Sequence, residues 1–205
     1  MKIKSLSVGP FEVNCYILIS NKARAIVIDP GAESLRIKKI LFENKVEPSF
    51  ILHTHGHIDH IQADNDFSLP VYIHQEDVEL LKNPVLNLSQ LFNQPFVVKS
   101  EVIPIKDEQI IELDDITLKV IHTPGHTPGS SCFLFSNHKE NLLFSGDTLF
   151  YLGIGRTDFV GASFEDLIKS IKEKLFLLDD KTVVYPGHGP LTQIGKEKKL
   201  NPFLK

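Results

Sequence analysis
The stretch LHTHGHIDHI, residues 52–61, holds four histidines and an aspartate in ten positions, directly after the apolar run SFI. SFILHTH, residues 49–55, reads as a short buried strand running into the cluster. The histidines therefore gather at a strand's C-terminal end. His55 and His57 are two apart, a spacing that points both rings the same way in an extended segment. Gly56 between them has no side chain to obstruct a close approach. Asp59 and His60 follow as the chain turns. Imidazole nitrogens and a carboxylate are good ligands for zinc, iron or manganese. Four such groups within six residues can serve more than one ion.

Three distant positions have the same character. HTPGHTPGS places His126 after a Pro-Gly turn that follows an expected strand. FSGDTLF puts Asp147 at the end of the strand NLLFSGD, and YPGHGP puts His188 at the end of TVVY. Each is a ligand-type residue where a strand gives way to a loop, and loops on a rigid scaffold are where sites are built. Taken singly they are weak, since Asp147 is also a good turn residue and His188 an ordinary loop histidine. A lone histidine on an apolar strand reads instead as a satisfied core residue, which is the expectation for His53, His74, His122 and His138.

Outward from the cluster, KIKSLSV, NCYILIS and AIVIDPG read as strands, the last ending in a Pro-Gly stop. Residues 33–45 read as a helix with Leu35, Ile37, Ile40 and Leu41 on its apolar side. QADNDFSL reads as a short helix, VYIH as a strand and QEDVELLKN as another helix. Residues 83–106 carry no clean period and read as a long loop or broken helix over one face. Strands return with TLKVIHTP, SSCFLFS and NLLFSGD, then a helix over residues 163–178. Ser163 can cap that helix, and Phe164, Leu167, Ile168, Ile171, Leu175 and Leu178 form its packing stripe. Strand-rich blocks with helices between them, one block in each half, imply two packed sheets with helices outside.

The chain has 205 residues, 42% hydrophobic and 23% charged, a length that fits one domain with a sizeable core. Its formal net charge is −4, and its one short basic group is Lys196, Lys198 and Lys199, which argues against a nucleic-acid binder. Cys15 and Cys132 lie in apolar runs outside any C-x-x-C arrangement and read as buried, reduced thiols. With no signal-like or membrane-spanning run, the expected compartment is the cytoplasm.

Taken together, FEVNCYIL, VIDPGAE, HTHGHIDH, HTPGHTPGS, FSGDTLF, GIGRTDF, YPGHGP and TQIGKEKKLNPF resemble the metallo-β-lactamase superfamily. Within it the chain is most similar to the glyoxalase II-like branch, the hydroxyacylglutathione hydrolases, in a short form. The resemblance implies a mixed α/β fold, the four-layer αββα sandwich, as one domain over residues 1–205 without a C-terminal helical glutathione-binding domain. It implies two divalent ions, zinc first, with iron or manganese as alternatives. His55, His57 and His126 would hold one ion, Asp59, His60 and His188 the other, and Asp147 would bridge them. Asp59 would also orient the attacking hydroxide. Asp29 and Thr54 match positions that steady the ligands, with plain turn and strand roles as the alternative. Arg156 in GRTD would grip a substrate carboxylate or tie down its own loop.

The implied activity is hydrolysis of a small-molecule thioester, S-lactoylglutathione or a related acyl-glutathione, by hydroxide generated between the ions. The rival is a persulfide dioxygenase using one iron on His57, His126 and Asp147, since two histidines and a carboxylate suit oxygen activation. A nuclease of the same fold would bring extra domains, and a non-catalytic metal module would not need so complete a ligand set. Neither a nucleic acid nor a membrane is an expected partner, and the oligomeric state stays open.

Overall fold
The computed structural model describes residues 1–205. The chain opens with an antiparallel meander, β1 Lys2–Val8, β2 Val13–Ile19 and β3 Arg24–Ile28. Helix α1, Ser34–Glu43, then crosses over to β4, Glu47–Leu52, which pairs parallel to β3. The one-turn helix α2, Ile58–Ile61, follows the histidine cluster. Strands β5, Val71–His74, and β6, Val102–Ile105, continue the parallel run and complete a six-stranded sheet in sequence order.

The second sheet comes from the other half. It contains β7 Ile110–Leu113, β8 Ile116–His122, β9 Ser131–Ser136 and β10 Asn141–Gly146. A small hairpin follows, β11 Leu149–Phe150 with β12 Gly153–Ile154, then helix α3, Phe164–Glu173. Strands β13, Val183–Pro186, and β14, Thr192–Gln193, finish the sheet in the order β14-β13-β10-β9-β8-β7, and α4 is Ile194–Leu200.

Three apolar layers hold this together. Tyr16, Leu18, Ile26, Ile28 and Leu52 face Ile116, Leu118, Val120, Phe133 and Phe144 between the sheets. Alternate residues of the same strands, Ile17, Ile19, Val27 and Ile51, pack outward under Ile37 and Leu41 of α1. Leu143 and Val184 pack outward under Leu167 and Ile171 of α3. Both faces of each sheet are covered, so the central strands are continuous apolar runs rather than alternating ones. The result is the αββα sandwich expected from the sequence. Cys15 and Cys132 are buried free thiols, and burial pushes the Cys132 thiol up to about 11.

Several element expectations need correction. QADNDFSL and QEDVELLKN form only single 3₁₀ turns, at Asp64–Asp66, Gln75–Asp77 and Leu80–Lys82. Their polar side chains are used in tertiary hydrogen bonds, and these fix a tighter path than a free amphipathic helix would take. Leu35 is 81% exposed and Phe164 is 54% exposed, so neither belongs to its helix's packing stripe. Helix α3 ends at Glu173, short of the expected residue 178, and is followed by a 3₁₀ turn, Leu175–Leu177. Its start is as expected, with the Ser163 hydroxyl accepting from the Asp166 backbone N–H at 3.2 Å, a cap contributing about 1 kcal/mol. Within residues 83–106, Val102–Ile105 form strand β6. No helix is long and apolar enough to cross a membrane.

Candidate functional site
The C-terminal ends of β4, β10 and β13 and the turn after β8 meet at one end of the sandwich. Leu52 closes β4, short of the strand read over residues 49–55, and the chain bends at Thr54 before His57, which sits at φ −72° and ψ 150° just before α2. Asp59 and His60 lie in the first turn of α2. The turn after β8 presents His126, Gly146 at the end of β10 is followed by Asp147, and Pro186 at the end of β13 by Gly187 and His188. Gly187 is required here, because a Cβ there would overlap the Asp147 carboxylate and press on His60. Gly146 adopts φ +48° against Thr54, a conformation and a clearance open to glycine.

The seven ligand-type side chains named from the sequence come together as two sets. In one, His57 Nδ1 lies 3.0 Å from His126 Nε2, which lies 3.2 Å from His55 Nε2. In the other, His188 Nε2 lies 3.4 Å and His60 Nε2 3.8 Å from Asp59 Oδ2. Asp147 stands between them. Its Oδ1 is 3.4 Å from His60 Nε2, while its Oδ2 is 3.5 Å from His188 Nε2 and 3.6 Å from His126 Nε2.

This arrangement has the chemistry of a cation site. Three imidazole nitrogens converge in the first set, each within 3.2 Å of another. Burial, reinforced by His126, pulls the His57 imidazole down to about 3, and burial with its histidine neighbours holds His55 well below the ordinary range. Both rings are thus neutral lone-pair donors. In the second set His60 Nε2 and Asp147 Oδ1 are buried without a hydrogen-bond partner, an expensive state unless an ion completes them. Burial opposes a charge on His60, yet Asp59, Asp147 and Asp29 hold it well above the usual histidine range. Excess negative charge is what a divalent cation would balance. Groups of these residues fit a pair of ions.

The far side of four of the five rings is tied as well. His60 Nδ1 donates to Asp29 Oδ2 at 3.1 Å, and His55 Nδ1 lies 3.2 Å from the Thr54 hydroxyl, which itself donates to Asp29 Oδ2 at 2.7 Å. Asp29 and Thr54 therefore orient rings from both sets. His126 Nδ1 donates to the Arg156 carbonyl at 2.7 Å, and His188 Nδ1 to the Phe11 carbonyl at 2.9 Å. Such outer bonds fix which nitrogen faces the metal.

Arg156 does not present a free guanidinium. It forks onto Asp158, with Nε and Nη2 at 2.9 and 2.7 Å from the two carboxylate oxygens, and lies 4.5 Å over the Phe159 ring. Its side chain thus ties its own loop.

Of the four histidines expected in the core, His53 fits best. It is fully buried, with Nδ1 3.2 Å from Asp29 and Nε2 2.8 Å from Asp64. Burial works against its charge, but the two carboxylates outweigh it and push the ring up to about 9. His74 is buried and stacks on the half-buried His122, centroids 3.8 Å apart and planes 14° from parallel. Glu76 is near both, yet stacked rings send their lone pairs along parallel lines that do not converge on one ion. His138 is the correction: it lies exposed in the β9–β10 turn, where two backbone N–H groups bond to Asn137 and no sheet covers it.

Two features had no local sequence signal. Asp77, in the stretch read as helix, is fully buried. Its Oδ2 accepts from Gly56 N–H at 3.0 Å and the Thr127 hydroxyl at 2.7 Å, and its Oδ1 from Gly129 N–H at 2.6 Å. It thereby joins the loop carrying His55 and His57 to the loop carrying His126. The second is a cavity of about 540 Å³ lined by five of the seven, His57, Asp59, His126, Asp147 and His188. Its apolar walls are Phe11, Ile58, Leu88, Leu91, Phe92, Phe150 and Phe159, so the segment after residue 83 does cover the site.

Comparison with known proteins agrees with this geometry. The family model described as the metallo-β-lactamase superfamily matches residues 8–188. The hydroxyacylglutathione hydrolase GloC of Haemophilus influenzae is 35% identical, with 100% of this chain and 98% of that one covered. The crystal structure of the BLEG-1 B3 metallo-β-lactamase superposes with a TM-score of 0.92 at 38% identity, covering 99% of each chain. TTHA1623, solved in a di-iron-bound form, has a TM-score of 0.84 at 31% identity, covering 98% of this chain and all of that one. The chain belongs to the metallo-β-lactamase superfamily, whose members are mostly hydrolytic enzymes and typically hold two metal ions.

Proposed function
We propose that the protein is a dinuclear metal-dependent hydrolase that cleaves a thioester, with acyl-glutathiones such as S-lactoylglutathione the first class to assay. The observation that carries the proposal is the Asp147 carboxylate standing between two histidine-rich sets, close to members of each. His55, His57 and His126 would hold one ion, and Asp59, His60 and His188 the other, with Asp147 shared. Zinc is the first candidate, and the di-iron relative keeps iron in play. When bound, such a pair supplies a water ionised near neutral pH and a Lewis acid for the carbonyl oxygen.

The chain's own residues do the rest. Asp29, Thr54 and the carbonyls of Phe11 and Arg156 hold four of the five imidazoles, His55, His60, His126 and His188, in their donor orientations. Asp59, at the cavity rim, would orient the attacking water. The apolar walls exclude bulk solvent around the reacting carbon. Every ionisable residue lining the cavity is either one of the seven or the Asp158-paired Arg156. No separate general acid is left to protonate a leaving group. A thiol, with a pKa of about 8.5, leaves without that help, whereas an amine does not. This supports a thioester over an amide, even though one structural relative is named a β-lactamase.

The test is a panel of acyl-thiols, with a β-lactam as control, against the metal-loaded protein. Turnover of thioesters with little or none of the β-lactam is expected, and the reverse order overturns the proposal. A second reading, a one-iron dioxygenase, draws on the nearness of His57, His126 and Asp147. One iron per chain with oxygen uptake on glutathione persulfide would select it.

A further inference from the structure
The same cavity says something about which thioester enters, and this step rests on the hydrolase reading. Glutathione carries two carboxylates and an ammonium group, and an enzyme that selects it needs charges to meet them. The only cation lining this cavity is Arg156, whose guanidinium is already forked onto Asp158. What the cavity offers instead is apolar surface. Ile58 lies between the ligand-type residues His57 and Asp59. Leu88, Leu91 and Phe92 follow around the short turn Ser89–Phe92. Phe92 meets Phe11 edge to face, with centroids 5.2 Å apart, so two separate loops close one roof. The roof is joined to the site, because the Phe11 carbonyl is the acceptor for His188 Nδ1.

Leu91 is 70% exposed and Phe92 48% exposed. Hydrophobic side chains are left this open beside a reactive centre at a cost, and an apolar ligand laid against them recovers it. We infer that the site takes a thioester whose acyl group is an apolar chain, carried on a thiol without carboxylates, in preference to S-lactoylglutathione. In the reaction the acyl carbon–sulfur bond breaks and a carbon–oxygen bond forms to the oxygen of water. The products are a carboxylic acid and a free thiol, with no oxidant or reductant consumed.

The experiment compares hexanoyl and lactoyl groups, each carried on N-acetylcysteamine and on glutathione, with the metal-loaded protein. Burying a methylene is worth about a fourfold gain, so even partial burial of the longer chain predicts kcat/KM at least tenfold higher for hexanoyl on either thiol. Leu91→Ala with Phe92→Ala should draw the hexanoyl-to-lactoyl ratio towards unity. Leu91→Lys should shift preference towards the glutathione esters. Equal or better use of S-lactoylglutathione by the unmodified protein overturns the inference, as does an equal loss for both acyl groups in the double variant. Calorimetry with ketone analogues, in which a methylene replaces the sulfur, separates this inference from the hydrolase reading. If no thioester is cleaved, that reading fails. Tighter binding of the hexanoyl than the lactoyl analogue then still supports the apolar pocket, and equal binding overturns it.

Discussion

His57 brings its Nδ1 to 3.0 Å from His126 Nε2, which also lies 3.2 Å from His55 Nε2 and 3.6 Å from Asp147 Oδ2. His57→Ala should therefore remove metal and thioester hydrolysis together while leaving far-UV circular dichroism nearly unchanged. Turnover that persists in the metal-depleted variant would refute the mechanism. Asp77 acts one step back. Asp77→Asn keeps a carbonyl but turns one acceptor into a donor facing other donors, each left unmatched at roughly 1–3 kcal/mol. Metal affinity is expected to fall about 10–100-fold, with a lower Tm, both measurable by titration and calorimetry. His53 gives a pH signature. A histidine held above its unfolded value stabilises the fold at low pH and loses that contribution as pH rises. The contribution is complete below about pH 6.5 and fades as pH passes about 9. The Tm advantage of the unmodified protein over His53→Gln should shrink across that window, and a constant difference would contradict the role. The ligand-type residues were legible because His55, His57, Asp59 and His60 crowd into six positions just beyond a strand end, and Asp147 and His188 also follow strand ends. Asp77 was not legible, because its three partners lie 21, 50 and 52 positions away and nothing in QEDVELL marks it as buried.

At the scale of elements, the sheets follow from runs such as NCYILIS, whose continuous apolar character requires cover on both faces. The short pieces follow from side-chain hydrogen bonds that no periodicity reports. Asn87 is one case: its amide donates to the Leu80 and Phe96 carbonyls, and its Oδ1 accepts from Ser89 N–H. These bonds fold residues 80–96 into a cavity wall with only two short 3₁₀ turns, Leu80–Lys82 and Ser89–Phe92. The closing segment is another. Glu197 is fully buried, accepting from the Leu152 N–H and from the Asn201 amide, each at 2.9 Å. Asn201 in turn donates to the Gly153 carbonyl at 3.1 Å. The NPF end of the chain thus clamps the β11–β12 hairpin just before Arg156. Glu197→Ala should destabilise the protein by about 2–4 kcal/mol, read in chemical unfolding, while hydrolysis by the folded fraction stays near the original rate. A variant as stable as the parent would show that the clamp contributes little.

The whole molecule places one half-chain's histidine loop opposite three loops from the other half, across the end of two packed sheets. No single element makes the site: β4, β8, β10 and β13 each supply ligand-type residues at or just beyond their ends. This convergence explains why the layered fold and the seven residues could be read together from motifs, while the walls that choose a substrate could not. The most direct measurement strips the purified protein with a chelator and titrates zinc or ferrous ion back, following bound metal by elemental analysis and thioester cleavage in the same samples. The metal-free protein should be silent, with saturation at two equivalents per chain and hydrolysis returning as both sites fill. Undiminished cleavage without metal, or saturation at a single ion, would contradict the dinuclear mechanism.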